Sequence, residues 1–171
     1  MFKVIDSEYQ VLNFLEKRKN AIASVEKLPN IKSRYLNYIK EFKGIEITPD
    51  IIILSYEDAL KENKYLNENY SFIQENYWII GFSGQGDSWF IEKKTNKILF
   101  FDHNQGEYDE SSIFINLDIG FCKFLRMAFL YKELEEFIDE NEFNREHEKQ
   151  FKKELNSLNP NLYNLYPYKY I

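Results

Sequence analysis

Three consecutive segments of aromatic and β-branched residues constrain the fold of this chain most strongly. They cover residues 77–82, 88–93 and 97–101, and the turn-forming sequences 84–87 (Gly-Gln-Gly-Asp) and 94–96 (Lys-Thr-Asn) separate them. Short segments of this kind pair as antiparallel neighbours when the connections between them are only a few residues long. The pattern therefore predicts a three-stranded antiparallel meander at the centre of the fold.

Two further segments have the composition of strands. The run Ile51-Ile52-Ile53-Leu54 is β-branched and too short for a helix, which favours a buried strand. Residues 113–117 follow the turn-like sequence of residues 104–107 and are predicted to form another strand. Residues 63–76 are rich in Asn, Glu and Tyr without a clear period, and we expect a loop there.

Helices are predicted on both sides of these strands. A capping box at Ser7 indicates a first helix over residues 7–20, and a second is expected from Pro29 to Gly44, with Gly44 as its C-terminal cap. A short helix is expected to begin at Ser55. Asp118 is predicted to cap the longest helix, over residues 119–140.

The C-terminal part, residues 143–171, is predicted to form a helix and a tyrosine-rich tail. Phe151, Leu155 and Leu158 share one helical stripe, which must end before Pro160. The tail is expected to pack back onto its own domain. Because no repeat or linker divides the chain, we expect one α+β domain over residues 1–171, with a central, mostly antiparallel sheet wrapped by N-terminal and C-terminal helices.

The charge balance narrows the classes of partner. The chain has 22 basic and 28 acidic residues, a formal charge of −6, and a pI near 5.1. A general nucleic-acid binder would be basic, and an acidic protein is not attracted to an anionic membrane. We therefore expect no direct binding to nucleic acid or to membranes.

Three features favour a cytoplasmic protein. The single cysteine, Cys122, cannot form an internal disulfide, which fits a reducing compartment. Residues 1–6 lack the basic start and long apolar stretch of a secretory signal, and no apolar run approaches the roughly 20 residues that cross a bilayer. The aromatic content is compatible with a monomer or a weak dimer.

A catalytic site has little support in the sequence. Asp102 and His103 offer a general base, and Ser83 or Cys122 would complete a triad in composition, but nothing in their spacing favours one. The stretch that begins at Gly81 matches neither a nucleophile elbow nor a phosphate-binding loop, since a strand follows it where both motifs need a helix. A hydrolase would require a deep pocket around His103 with a nucleophile within about 3 Å.

No metal or cofactor is expected. The only two histidines, His103 and His147, lie far apart in the sequence, and no carboxylate forms a ligand pattern around them.

Six carboxylates fall within ten residues near the end of the longest predicted helix. At about 100° per residue they are predicted to lie opposite its apolar arc. A solvated face explains them, and so does a docking surface for a basic partner. Asp109, Glu110 and the tyrosine-rich tail are candidates to extend that surface. The six carboxylates belong to Glu133, Glu135, Glu136, Asp139, Glu140 and Glu142.

Four stretches of the sequence carry a resemblance to a known family. They are the predicted helix that Leu28-Pro29 opens, residues 78–91 (WIIGFSGQGDSWFI), residues 97–103 (KILFFDH) and the helix that begins near Phe121-x-x-Phe124-Leu125. Together they resemble the SUKH superfamily of Smi/Knr-type proteins. The resemblance covers most of the chain to about residue 138, and the last 30 or so residues carry no signal of the family.

The resemblance implies a sheet wrapped by helices and a non-enzymatic binding role. Bacterial members of this superfamily look like immunity proteins that neutralise a toxin, often a nuclease, and the family offers no catalytic set to transfer. A regulatory scaffold of the Smi/Knr type is the alternative, and a small hydrolase using His103 is a weaker one. The residues that match the family's pattern, and that we take as structural, are Gly81, Gly84, Gly86, Asp87, Trp89, Asp102 and His103.

Overall fold

The structure is a computed structural model, which describes residue 2 and residues 10–171. It has the α+β, single-domain architecture that the sequence predicts. One six-stranded, fully antiparallel sheet follows the order β1-β2-β3-β4-β5-β6, so every strand pairs with its neighbour in sequence. The strands are β1 Ile45–Thr48, β2 Ile51–Ile53, β3 Tyr77–Phe82, β4 Ser88–Glu92, β5 Ile98–Phe101 and β6 Ile115–Asn116.

Helices cover both faces of this sheet. The two 3-10 helices in the described residues span Val11–Phe14 and His103–Gln105. None of the described helices combines the length and hydrophobicity that a membrane crossing requires. The α-helices are α1 Tyr35–Glu41, α2 Tyr56–Asn69, α3 Ser71–Asn76, α4 Phe121–Asp139, α5 Arg145–Leu158 and α6 Leu162–Leu165.

The core has two layers because consecutive strand residues point to opposite faces of the sheet. Trp89 of β4 packs against Phe124 of α4, with ring centroids 5.0 Å apart. Its neighbour Phe90 points the other way and packs edge-on against Tyr108 and Phe114, at 5.9 and 5.4 Å. The α4 face carries the larger core, and the Phe90 face is covered by α2, α3 and residues 106–114.

The predicted meander is confirmed as β3, β4 and β5. In the β3–β4 pair the register shifts between Ile79 and Gly81. Gly81 also lies very close to β2, since a Cβ added there would stand 2.4 Å from the carbonyl oxygen of Ile52. Glycine at this position is what allows β2 to pair with β3.

The predicted helix over residues 7–20 is wrong for the part that the structure describes. Residues 7–9 lie outside the described residues, and beyond the 3-10 turn the chain runs extended beside the end of α1. The backbone N–H of Arg18 donates to Glu41 at 2.8 Å, and that of Lys43 donates to Glu16 at 2.9 Å. These groups bond to another segment and so cannot close helical turns.

The second helix is also shorter than predicted, because α1 begins at Tyr35 and ends at Glu41. Gly44 does not cap it. A Cβ at Gly44 would lie 2.7 Å from the backbone nitrogen of Ser55, so this glycine permits a close approach of two backbones at the start of β1. Strand β1 itself was not predicted.

Residues 63–76 are helical except for Tyr70, contrary to the predicted loop. Asn63 in α2 is buried and joins its helix to β3: its Nδ2 donates to the carbonyl of Ile79 at 2.9 Å, and its Oδ1 accepts from the amide of Ile79 at 2.9 Å. This tertiary bond pair offsets the poor helix propensity of an asparagine-rich segment.

Two boundaries around α4 differ from the prediction. Gly120, not Asp118, precedes the helix, and Asp118 has a φ of 52° and an ion pair with Lys97 at 2.9 Å. Strand β6 is shorter than residues 113–117, because both backbone groups of Ile113 bond to the side chain of Gln105. At the C-terminal end, α5 buries Phe151, Leu155 and Leu158 as predicted.

Candidate functional site

The turn between β3 and β4 is organised around the buried carboxylate of Asp87. The Ser83 hydroxyl donates to Asp87 Oδ2 at 2.8 Å and accepts from the Asp87 amide at 3.1 Å. Gly86 has a φ of 101°, which an L side chain rarely adopts. The amide of Gly84 donates to the carbonyl of Pro49 at 2.7 Å and ties the turn to the β1–β2 connection.

His103 lies at the end of β5, against the same carboxylate. Its Nδ1 is 2.6 Å from Asp87 Oδ1, and its amide donates to that oxygen at 3.1 Å. Asp102 Oδ1 lies 4.0 Å from the ring nitrogen and accepts from the amide of Asn104 at 2.8 Å. The structure thus brings Asp87, Asp102 and His103 together.

The C-terminal tail completes this polar cluster. The Tyr168 hydroxyl donates to Asp87 Oδ2, so the carboxylate accepts from Ser83, Tyr168 and both the ring and the amide of His103. Burial alone would raise the pKa of Asp87, but these hydrogen bonds outweigh it and hold the pKa below its ordinary value. No spacing rule in the sequence links Tyr168 to a turn 81 residues away.

This geometry is not that of a hydrolytic triad. Ser83 and His103 both bond to Asp87, so the carboxylate lies between the hydroxyl and the imidazole. In a triad the imidazole lies between the other two groups. His103 lines none of four surface cavities of about 570, 240, 500 and 440 Å³, and Cys122 is buried in the first turn of α4.

Within the described chain, one group of three side chains has ligand atoms close enough for a metal ion: those of Asp87, Asp102 and His103 lie within 4.8 Å of one another. Both oxygens of Asp87 already accept hydrogen bonds from protein groups. A metal at Asp87 would have to displace them. The cluster is better suited to joining the β3–β4 turn, the end of β5 and the tail.

The tyrosine-rich tail packs onto its own domain, which confirms the prediction. Tyr166 is fully buried and stacks on Tyr131, with ring centroids 3.9 Å apart. The Tyr170 hydroxyl contacts Asp50 Oδ2 and Glu135 Oε1, the latter at 2.6 Å. The tail is therefore part of the core and of its polar border.

The acidic face of α4 is smaller than predicted. Glu136, Asp139 and Glu140 are exposed, and none of them forms an ion pair with a residue that the structure describes. Glu133 is half-buried. The prediction was wrong for Glu135, because the tail folds over it and Tyr170 donates to its carboxylate.

Asp109 and Glu110 are exposed in residues 106–114, on the other side of the sheet from α4. Their segment packs Tyr108 on Phe90, whereas α4 packs on Trp89. The candidate carboxylates therefore form two separate surfaces instead of one. Asp109 accepts hydrogen bonds from the hydroxyl and the amide of Ser111, which lower the pKa of its carboxyl group.

Comparison with known proteins found no family model, no curated protein and no solved structure that matches this chain. The likeness to the SUKH superfamily rests on the four stretches of sequence quoted above.

Proposed function

We propose that this chain is a cytoplasmic, non-enzymatic immunity protein that binds and neutralises a basic protein toxin, with a nuclease as the expected class. Nuclease toxins that bind phosphate carry basic surfaces, so an inhibitor can use carboxylates to occupy the same surface. The resemblance to SUKH proteins supports the class of function. A net charge of −6 supports the basic partner.

The observation that carries the proposal is the set of exposed carboxylates at the end of α4. Glu136, Asp139 and Glu140 fall in the last turn or at the C-cap, where the helix macrodipole disfavours negative charge. They have no ion-pair partner among the described residues. Local stability does not account for these charges, whereas attraction of a basic partner does.

The polar cluster at Asp87 supports a structural role for the residues that match the SUKH pattern. Its hydrogen bonds connect three separate parts of the chain, at residues 83–87, 103 and 168. Asp87 itself is only 3% exposed. At the surface of this cluster the side chains of His103 and Asp102 are 43% and 47% exposed.

The test is capture of partners from the native cell with the tagged full chain, at low and at high salt. We expect one basic protein, which binds more weakly at high salt because the association is electrostatic. Recovery of cell-wall or signalling proteins would instead favour the Smi/Knr-type regulatory scaffold.

Charge-reversal variants make this test specific. Glu136→Lys with Glu140→Lys should slow association with the recovered protein and reduce its dependence on salt. A control pair on other exposed positions, Glu26→Lys with Glu46→Lys, changes the net charge equally. Equal effects of the two pairs would show that only the total charge matters.

A further inference from the structure

The face of the protein made by α2, α3 and residues 106–114 exposes several large apolar side chains. Five large hydrophobic side chains are exposed in the described residues, and three of them lie on this face: Tyr65 at 56%, Phe72 at 40% and Ile113 at 70%. Exposed apolar side chains that form a patch on one side of a protein mark interaction surfaces.

Ring contacts connect Tyr65 and Phe72 to the rings beneath them. Tyr70 lies between Tyr65 and Phe72, with ring centroids 6.4 and 6.5 Å away, and is 5.2 Å from Tyr108. Phe114, the neighbour of Ile113, stacks on Tyr77 at 4.7 Å. Tyr65 and Phe72 therefore belong to a continuous aromatic layer that reaches from α2 to Phe114, and Ile113 adjoins this layer in the chain.

That layer is anchored to the sheet and so is held in place before any partner arrives. Tyr108 packs on Phe101 at 4.6 Å and bonds to the Ser88 hydroxyl at 2.9 Å. Gln105 holds both backbone groups of Ile113. A prepared surface loses little conformational entropy on binding.

Carboxylates border the aromatic layer on the side of residues 106–114. Glu107, Asp109 and Glu110 are exposed, and residues 104–122 contain no Lys or Arg. On α2, Glu62 is near enough for its negative charge to add to burial in raising the pKa of Tyr108. Exposed aromatic rings beside carboxylates are what Arg and Lys side chains bind, by cation–π contact and ion pairing together.

We propose that the aromatic–acidic surface, formed by Tyr65, Phe72, Ile113, Glu107, Asp109 and Glu110, is where the basic partner docks. This inference rests on the proposed function and assigns its contact surface. The carboxylates at the end of α4 steer the partner from a distance. No large hydrophobic side chain of residues 121–171 is exposed, so that region offers charge without the apolar area that a stable interface buries.

The probe is a short, fluorescein-labelled, arginine-rich peptide, and its control is the same peptide with neutral citrulline in place of arginine. Binding to the full chain is measured by fluorescence anisotropy and located by amide NMR shifts. We expect the arginine peptide to bind and the citrulline peptide not to bind. The shifted amides should lie in residues 62–72 and 106–114.

Two matched variants separate this surface from the end of α4. Tyr65→Ser with Ile113→Ser changes exposed side chains and leaves the charge unchanged, and we expect it to weaken peptide binding about tenfold. Glu136→Gln with Glu140→Gln should alter affinity only at low salt. Amide spectra of the free variants verify that both retain the fold.

The inference is overturned if the arginine peptide does not bind, if the shifted amides lie in residues 133–142, or if Tyr65→Ser with Ile113→Ser binds as tightly as the parent chain. Its failure is distinct from failure of the proposed function. A basic protein captured equally well by the Tyr65 and Ile113 variant would leave the function standing and reject only this surface.

Discussion

The hydroxyl oxygen of Tyr170 lies 2.6 Å from Oε1 of Glu135, and the same hydroxyl contacts Oδ2 of Asp50. The hydroxyl has one proton, so it donates to one of these two carboxyl groups at a time. This three-residue clamp joins the tail to α4 and to the β1–β2 connection. It covers Glu135 and leaves Glu136, Asp139 and Glu140 at the surface.

The clamp predicts a loss of stability in Tyr170→Phe. Removing the hydroxyl leaves two partly buried carboxyl groups without their shared hydrogen-bond partner, at a cost of about 1–3 kcal/mol in the free energy of unfolding. Urea unfolding measures the change, and Tyr65→Phe is the control because Tyr65 is exposed. A change for Tyr170→Phe no larger than that of the control would show that the clamp contributes nothing.

The clamp also leads us to expect that the stability of the fold depends on pH. Burial raises the pKa of Glu135, and the charges of Asp50, Asp139 and Glu136 raise it further, although the bond from Tyr170 opposes them. Burial raises the pKa of Asp50, with the charge of Asp87 adding to it and Tyr170 again opposing. Each of these two carboxyl groups therefore holds a proton more tightly in the folded state than in the unfolded chain.

A group with a raised pKa in the folded state stabilises the fold below its unfolded pKa, and this contribution is lost as the pH rises through the folded value. The stability of the parent chain relative to Glu135→Gln should therefore fall as the pH rises from the ordinary glutamate pKa toward neutrality. Urea midpoints of both proteins across that range measure it. If the parent chain instead became more stable relative to Glu135→Gln as the pH rose, the raised pKa of Glu135 would be contradicted.

For Asp87 we expect the opposite dependence of stability on pH, because hydrogen bonds lower the pKa of its carboxyl group despite burial. Asp87→Asn should cost about 1–3 kcal/mol at neutral pH, since a buried acceptor of several bonds is replaced in part by a donor. The cost should shrink as the pH falls through the folded pKa of Asp87, where the native carboxylate itself takes up a proton. Asp102→Asn, at a half-exposed position, is the control for losing a charge and should change the stability less.

We expect a substitution at Gly81 to destabilise the fold for a steric reason. Gly81→Ala places a Cβ 2.4 Å from the carbonyl oxygen of Ile52, so β2 and β3 must separate locally, at a cost of about 1–3 kcal/mol. Gly120→Ala is the matched control, because the nearest atom to its Cβ is 3.9 Å away. Equal midpoints of thermal unfolding for the two variants would contradict the close approach.

The central sheet could be predicted from the sequence because the patterns that specify its strands and turns lie in short, neighbouring segments. Strands β3, β4 and β5 alternate with short turns, and each segment has the composition of a strand. Elements that depend on distant partners could not be predicted. The segment before α1 is extended because Arg18 and Lys43 exchange backbone bonds with Glu41 and Glu16, and α2 is supported by the bonds of Asn63 to Ile79.

The candidate site was predictable in part. The motif residues Asp87 and His103 do come together, since the turn after β3 and the end of β5 lie at the same edge of the meander. The tyrosine contacts could not be predicted, because nothing in the sequence specifies which carboxylates Tyr168 and Tyr170 meet. The exposure of Tyr65 and Ile113 could not be predicted from the sequence either, since it depends on how α2 and residues 106–114 cover the sheet.

The most direct test of the account is the growth of cells that express the basic protein recovered by capture, with and without this chain. The account predicts that the recovered protein stops growth, that the parent chain restores it, and that the purified pair forms a stable complex. A captured protein that is harmless, one that remains equally toxic beside this chain, or the recovery of no basic protein would contradict it.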